Sequence, residues 1–257
     1  MLEQTHRWGS QPEMFGPRHE HRLAMFTHET AKLERGSKIL DAAIGLGQLA
    51  GRLAKQGHRV FGVDYSFEAA LHAKRTTGAN AVVGDLTLLP FRDDAFDAAT
   101  SGETLEHLDD DEEAIVELGR VVKAGGRCVV TVPALESLWT KSDVYYEHRR
   151  RYERNELAAL FDRAAFQVSA ATYWGFPVVL IYDYVFLLPM NLRRAKRDVG
   201  SDAALQGVAS IGKAKWLVKL VQAIFSLDRL FSFVPFGPGL LLIATKRCEG
   251  RGLRSMA

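Results

Sequence analysis

Lys38 to Gly47, KILDAAIGLG, decides how the rest of the chain is read. It reads as a short buried strand at 39–41, a tight turn of small residues, and a helix from about Gly47. Leu46, Leu49, Ala50, Leu53 and Ala54 recur at helical spacing after the turn. A strand that runs through glycines into a helix start brings backbone close to a ligand, because glycine bends freely and has no Cβ in the way. The next strand, in RVFGVDYS, ends in Asp64, about twenty residues on, where a carboxylate accepts hydrogen bonds from ribose hydroxyls. The pair points to a ligand that contains a nucleoside.

At 257 residues, with 47% hydrophobic and 25% charged residues, the chain suits one α/β domain with a substantial insert. The formal net charge is +2, and no basic stripe interleaved with aromatics is present, so no nucleic-acid partner is expected. Cys128 and Cys248 lie far apart with no metal-ligand spacing, and a reduced, cytoplasmic setting is the default. The opening MLEQTHRWGS has no apolar run, so no signal peptide is expected.

Residues 1–36 are polar and include His6, His19, His21 and His28. No cysteine joins these histidines and their spacing matches no known site, so no metal is expected. Leu23, Phe26, Thr30 and Leu33 share one side of a helix expected over 20–33, read as a cap on the ligand cleft. From Lys38 onward strands are expected at 38–41, 59–63, 80–83, 96–101 and 127–132, with helices at 47–56, 66–76 and 110–122. Asp109, Asp110 and Asp111 are expected to cap the third helix, and Ala124, Gly125 and Gly126 to stop it. A helix at 155–163 and strands at 167–173 and 240–245 follow. Such alternation gives a parallel sheet with helices on both faces and a ligand beyond the carboxyl ends of the strands. Those ends carry Asp41, Asp64, Asp85, Ser101 and Pro133.

Gly45-Leu-Gly47-Gln-Leu-Ala50 also fits a dinucleotide fingerprint, so the turn alone leaves NAD open. Asp41 argues against it, since a carboxylate before the turn repels a pyrophosphate and suits an ammonium group. Asp85 in VGDL, at the third strand end, can accept from an adenine amine. The ordered runs ILDAAIGLGQLA, GVDYS, GDLTLLPFRDDAFDAATSGETLEHL and GGRCVVTVP resemble the class I S-adenosylmethionine-dependent methyltransferases, in particular the type 11 or 12 group. The resemblance covers roughly 37–174 and the last strand. It implies a Rossmann-like, doubly wound, seven-stranded sheet whose last strand is antiparallel. It divides the chain into a helical cap at 1–36, a cofactor-binding domain at 37–174 and 239–247, and a helical insert at 175–238. It implies S-adenosylmethionine as cofactor, with Asp41, Ala43, Gly45 and Gly47 at its methionine part. Asp64 and Tyr65 would then lie at the ribose, Asp85 and Leu86 at the adenine, and Ser101 and Glu103 near the methyl donor. The family usually has glycine where this chain has Ala43 and Ala165, a change that is costly if φ is positive there.

The acceptor is expected to be a small molecule, through a hydroxyl of a lipid, quinone, sugar or secondary metabolite. Methylation of a hydroxyl is helped by a base, usually histidine, and His107 and His148 stand near strand ends. His148, in the aromatic and basic YYEHRRRY, is the catalytic candidate. The plainer reading pairs it and its arginines with Glu147 and Glu153 in a solvated loop. Tyr65, Phe67 and Trp174 are candidate cofactor or substrate walls, or simply core.

In the insert, the apolar run 176–192 contains Asp183, with Pro177 and Pro189 at its ends, and falls short of a membrane-spanning helix. It is followed by Arg193, Arg194, Lys196 and Arg197, and by an amphipathic helix near 213–231. The insert reads as a lid, or alternatively as a surface that meets a membrane or a lipid-like acceptor. An NAD-dependent oxidoreductase and a non-catalytic S-adenosylmethionine-binding protein remain the competing classes.

Overall fold

The computed structural model describes residues 16–197, 215–231 and 233–248. His6, with the rest of 1–15, and the insert residues 198–214 lie outside the described residues, as do the side chains of Arg193, Arg194, Lys196 and Arg197.

A seven-stranded sheet carries the fold. Its strands are β1 (Lys38–Ala42), β2 (Arg59–Asp64), β3 (Asn80–Val83), β4 (Phe96–Gly102), β5 (Val122–Pro133), β6 (Phe166–Trp174) and β7 (Gly239–Lys246). They lie in the order β3-β2-β1-β4-β5-β7-β6. The first five pair in parallel, and β7 runs antiparallel to both β5 and β6. The expected class of sheet, with its last strand antiparallel, is therefore present. Side chains alternate across a strand, so neighbours in β1 serve different layers. Ile39 packs with Leu23, Phe26, Leu49, Leu53 and Val129. These come from α1 (Pro17–Thr30), α2 (Gln48–Lys55) and β5, and Ala73 of α3 (Phe67–Thr77) joins them. Leu40 packs on the opposite face with Ile115 and Leu118 of α4 (Asp111–Val121) and, past the short α5 (Lys141–Tyr145), with Leu157 and Phe161 of α6 (Arg154–Arg163). Each such fully buried Leu, Ile or Phe contributes about 1.5–3 kcal/mol.

Several local expectations are corrected. α1 begins at Pro17, because proline is pre-set for the first helical turn, and ends at Thr30, so Leu33 lies beyond it. α4 ends at Val121 because Val122 turns extended and pairs with Phe96. Gly125 and Gly126 do not stop the helix. They form the irregularity in β5 before Arg127 pairs with Ala98, and a Cβ on Gly126 would sit 2.7 Å from the Val122 side chain. Asp110 occupies the N-cap of α4 without a side-chain capping bond. Asp111 turns inward, accepting from Tyr152 Oη at 2.5 Å and from Arg150 at 2.8 Å. Ala43 and Ala165 both have φ of 63°, so both departures from glycine fall where alanine is strained.

The insert begins as one helical run. α7 (Val178–Tyr182) passes through a π turn at Asp183–Leu187 into α8 (Leu188–Arg197). After the gap come α9 (Lys215–Phe225) and a 3₁₀ segment at Ser226–Phe231. Val179 and Phe225 bury against Trp174, with Met25 of α1 packed on them. Asp228 accepts from the amides of Val178 at 2.7 Å and Val179 at 3.1 Å, tying the two halves of the insert together. No helix among the described residues is long and apolar enough to cross a membrane.

Candidate active site

Two cavities open beyond the carboxyl ends of β1, β2 and β4, and they share Ala43, Gly45, Gly102, Glu103 and His107. The larger, about 440 Å³, is bounded also by Asp64, Tyr65, Asp85 and Leu86. The smaller, about 190 Å³, is bounded also by Asp41, Arg18, Arg22, Tyr146, His148 and Tyr182. The strands place the first set, because β1, β2 and β4 end level with one another and their last residues meet at one edge.

The turn is held from β2. Asp64 accepts from the amide of Gly45 at 2.8 Å and from that of Ser66 at 2.9 Å. Burial raises the Asp64 carboxyl above its usual range, and these two amides hold it down. Each oxygen keeps a further lone pair for a hydroxyl in the cavity. Asp41 is 3% exposed. One of its oxygens accepts from Thr100 Oγ1 at 3.1 Å, and among the described residues the other has no hydrogen-bond partner. Burial pushes its carboxyl up to about 7, against the pull of the Thr100 hydroxyl and helped by the charge of Asp64. An orphaned acidic oxygen at the wall of a cavity suits a cationic amino-acid group. Asp85 accepts from the Thr87 amide and hydroxyl, both at 2.8 Å.

Gly47 and Ser101 border neither cavity. Gly47, at φ 81°, lets α2 approach α3: a Cβ there would sit 2.9 Å from Thr77. Ser101 is buried in β4. Glu103, at φ 54°, leaves the strand in a left-handed conformation and points at α1, with Arg22 at 2.7 Å and Arg18 at 3.8 Å. Burial opposes the Glu103 charge, but Arg22 and Arg18 outweigh it and keep the carboxyl below its usual range. Trp174 is core under Gly239, whereas Phe67 is exposed.

His148 is not in a solvated loop. Its side chain is 12% exposed, and Nδ1 lies 2.9 Å from Asp143 Oδ1. Glu147 and Glu153 are not the partners of this segment. Arg151 grips Asp143, Arg150 reaches Asp111 and Arg149 reaches Asp109. Asp143 is buried, which opposes its charge, but His148 and Arg151 hold the carboxyl well below its usual range. An ionised Asp143 only accepts, so His148 donates to it through Nδ1, which leaves Nε2 as the ring nitrogen turned away from Asp143. Nε2 is 4.0 Å from Glu106 and the His148 ring is 4.8 Å from that of His107, centroid to centroid.

Sequence reading missed Arg18, Arg22 and Tyr182, and it took the Glu106–His107 pair, which the resemblance shares, as packing on the cofactor side. Arg18 and Arg22 are one helical turn apart, so a shared direction was visible, but their target was not. Asp183, the acid inside the apolar run, was a usable signal: it sits 3.3 Å from Arg18.

Residues 40–130 match the family model described as "Methyltransferase domain". A demethylmenaquinone methyltransferase of Corynebacterium kroppenstedtii is 37% identical over 116 residues, which is 45% of this chain and 50% of that protein. The chain spans about half the length of the curated relatives it matches. Among solved structures, Haemonchus contortus phosphoethanolamine N-methyltransferase 2 in complex with S-adenosyl-L-methionine superposes with a TM-score of 0.60 at 17% identity, covering 88% of this chain and 52% of that one. The YcgJ protein of Bacillus subtilis gives a TM-score of 0.60 at 21% identity, over 90% of this chain and 100% of that one. These two likenesses show the fold. Residues 40–130 are therefore similar to a methyltransferase domain, and the sheet that holds them has the fold of these two neighbours.

Proposed function

We propose that the chain transfers a methyl group from S-adenosylmethionine to a hydroxyl of a small acceptor with an apolar part, of the quinol or lipid class. The observation that carries this reading is the pair of cavities meeting at Gly102, Glu103 and His107. The larger has acids for ribose and adenine (Asp64 and Asp85), and Tyr65 and Leu86 form walls for the nucleoside. Asp41 takes the ammonium of the amino-acid part, beside the backbone of Ala43 and Gly45. The bound cofactor supplies an electrophilic methyl on a sulfonium.

The chain's own residues then align and desolvate the acceptor. Arg18 and Tyr182 line the smaller cavity. His148, oriented by Asp143, offers Nε2 as the group that draws the proton from the acceptor hydroxyl. Tyr182 and Leu187 of the insert border that cavity and Asp183 is paired with Arg18, which supports the insert as a lid over the acceptor. The name of the relatives, demethylmenaquinone methyltransferase, supports an acceptor of the quinone class and carries no weight for which of its atoms is methylated. Calorimetry with S-adenosylhomocysteine tests the cofactor half, since micromolar binding supports it and absence of binding defeats it. Mass spectrometry after incubation with a short-chain demethylmenaquinol tests the acceptor half. A product heavier by one methylene supports the quinol class, methylation on oxygen supports the hydroxyl as acceptor and methylation on a ring carbon defeats it, and an unchanged quinol defeats the quinol class.

A second reading adds membrane contact to the first. Ile181, Tyr184, Val185 and Phe186 are exposed together on the insert, and Leu220, Ile224, Leu227 and Leu230 are exposed on its second half. Co-sedimentation with anionic vesicles tests it, and protein left in the supernatant sinks it.

A further inference from the structure

Glu106 is the oddest residue at the junction. Its side chain is 0% exposed, and among the described residues neither carboxylate oxygen accepts a hydrogen bond from another residue. Buried carboxylates are ordinarily paired, protonated or bound to a metal. Oε1 lies 3.8 Å from His107 Nε2 and 4.0 Å from His148 Nε2, and the three ligand atoms all fall within 4.8 Å of one another. Those distances are too long for hydrogen bonds. They surround a point instead. Ligand atoms around a tetrahedral zinc ion lie about 3.4 Å apart, so side-chain adjustments on the order of 1 Å would close the set.

We propose that Glu106, His107 and His148 form a site for one divalent transition-metal ion of the zinc type, whose open position faces the smaller cavity and receives the acceptor oxygen. Two imidazoles and one carboxylate are a donor set for such ions, and three protein ligands leave a position free. The supporting groups are in place. Asp143 holds His148 Nδ1, the carboxylate–histidine arrangement that aims an imidazole at a metal. The His107 side chain, 18% exposed, stands edge-on to the His148 ring with 4.8 Å between centroids, so the two imidazoles face the same point. The amide of Arg149 donates to Glu106 O at 2.7 Å and its Nε donates to His107 O at 2.9 Å, so the two segments that carry the ligands are stitched together. Glu147, next to His148, is held at φ 59°, a conformation that costs energy and clusters at functional sites. Arg18 and Arg22 are directed at Glu103 and Asp183, so their charge is largely compensated before it reaches Glu106.

The site deepens the methyltransferase reading and rests on it for its chemistry, though metal binding itself does not. An acceptor hydroxyl on the ion loses its proton to solvent water at lower pH than a free one. The oxygen then forms a bond to the methyl carbon, the carbon–sulfur bond breaks, and the sulfonium keeps that electron pair as a thioether. His148 is a ligand in that state, and the ion takes over the activation of the hydroxyl.

The test uses full-length protein stripped with a chelator, then titrated with Zn²⁺ or Co²⁺ alone. One equivalent of either ion should bind per chain, with visible d–d bands for Co²⁺. Glu106→Gln, His107→Ala and His148→Ala should each weaken Co²⁺ binding more than tenfold, and Asp143→Asn about tenfold through orientation. Circular dichroism and S-adenosylhomocysteine calorimetry on the same samples confirm that each protein is folded. Glu106→Gln is nearly isosteric and keeps the test open if a histidine variant does not fold. Wild-type protein that binds S-adenosylhomocysteine but neither ion overturns the metal site and leaves the cofactor reading standing. Stoichiometric binding that survives all three ligand variants places the ion elsewhere and also overturns the site. Metal binding without S-adenosylhomocysteine binding supports the site and defeats the cofactor reading.

Discussion

Ala43 and Ala165 are where single residues store strain. Both stand at φ 63°, where an L side chain costs roughly 1–2 kcal/mol. Glycine would relieve that cost but add unfolded-state entropy, so Ala43→Gly and Ala165→Gly should each stabilise by about 0.5–1 kcal/mol. The midpoint of urea unfolding reads this directly, and a fall in either variant contradicts it. Asp41 carries a pH signature. Its folded carboxyl sits at about 7, against about 3.9 unfolded, so the folded state binds the extra proton between those values. Its contribution to the stability of the ligand-free protein therefore falls as pH rises from about 4 to 7, and Asp41→Asn should remove that slope. An ionised Asp41 is what an ammonium needs. Affinity for S-adenosylhomocysteine should accordingly drop about tenfold from pH 8 to pH 6, and calorimetry at a flat pH dependence would contradict the assignment.

Among the elements, the insert depends on one cap. Asp228 satisfies two amides at the start of α7, groups that a helix otherwise leaves unpaired. Asp228→Ala should cost about 1–2 kcal/mol and speed limited proteolysis within 178–231, with cleavage sites read by mass spectrometry. Unchanged digestion would mean the two halves of the insert are held by the Trp174, Val179 and Phe225 packing alone. β5 shows why element boundaries shift. Its start at Val122 is set by pairing with Phe96, a partner distant in sequence, and local helix-stop signals at the glycines were overridden.

For the whole molecule, Arg18 is the junction between α1, the end of β4 and the insert. It lies 3.3 Å from Asp183 and 3.8 Å from Glu103, and its guanidinium sits 5.4 Å from the Trp174 ring centroid. Arg18→Ala would take its partner from the partly buried Asp183 while Glu103 keeps Arg22 at 2.7 Å, a loss of about 1–3 kcal/mol. It borders the smaller cavity and not the larger one. The expected outcome is an acceptor KM raised by more than S-adenosylhomocysteine affinity is weakened, since Asp41 borders the same cavity, and an equal loss of both would contradict the division of the cleft. The strands that form the sheet were readable in the sequence because their core residues are local apolar runs, as at Ile39–Leu40 and Val129–Val130. The glycine turn and the acids after it were readable for the same reason: a strand end, a turn and a helix start are consecutive in the chain. Asp64, Tyr65, Asp85 and Leu86 at the larger cavity were thus named from the sequence, whereas Gly47 and Ser101 border neither cavity and the bond from the Gly45 amide to Asp64 came only with the fold. The pairings around the smaller cavity were decided by tertiary structure. His148 found Asp143 and Glu106, and Arg18 found Glu103 and Asp183, because packing brought together segments that no spacing rule connects. Charge pairing between such segments depends on burial and direction, which exist only once the chain is folded.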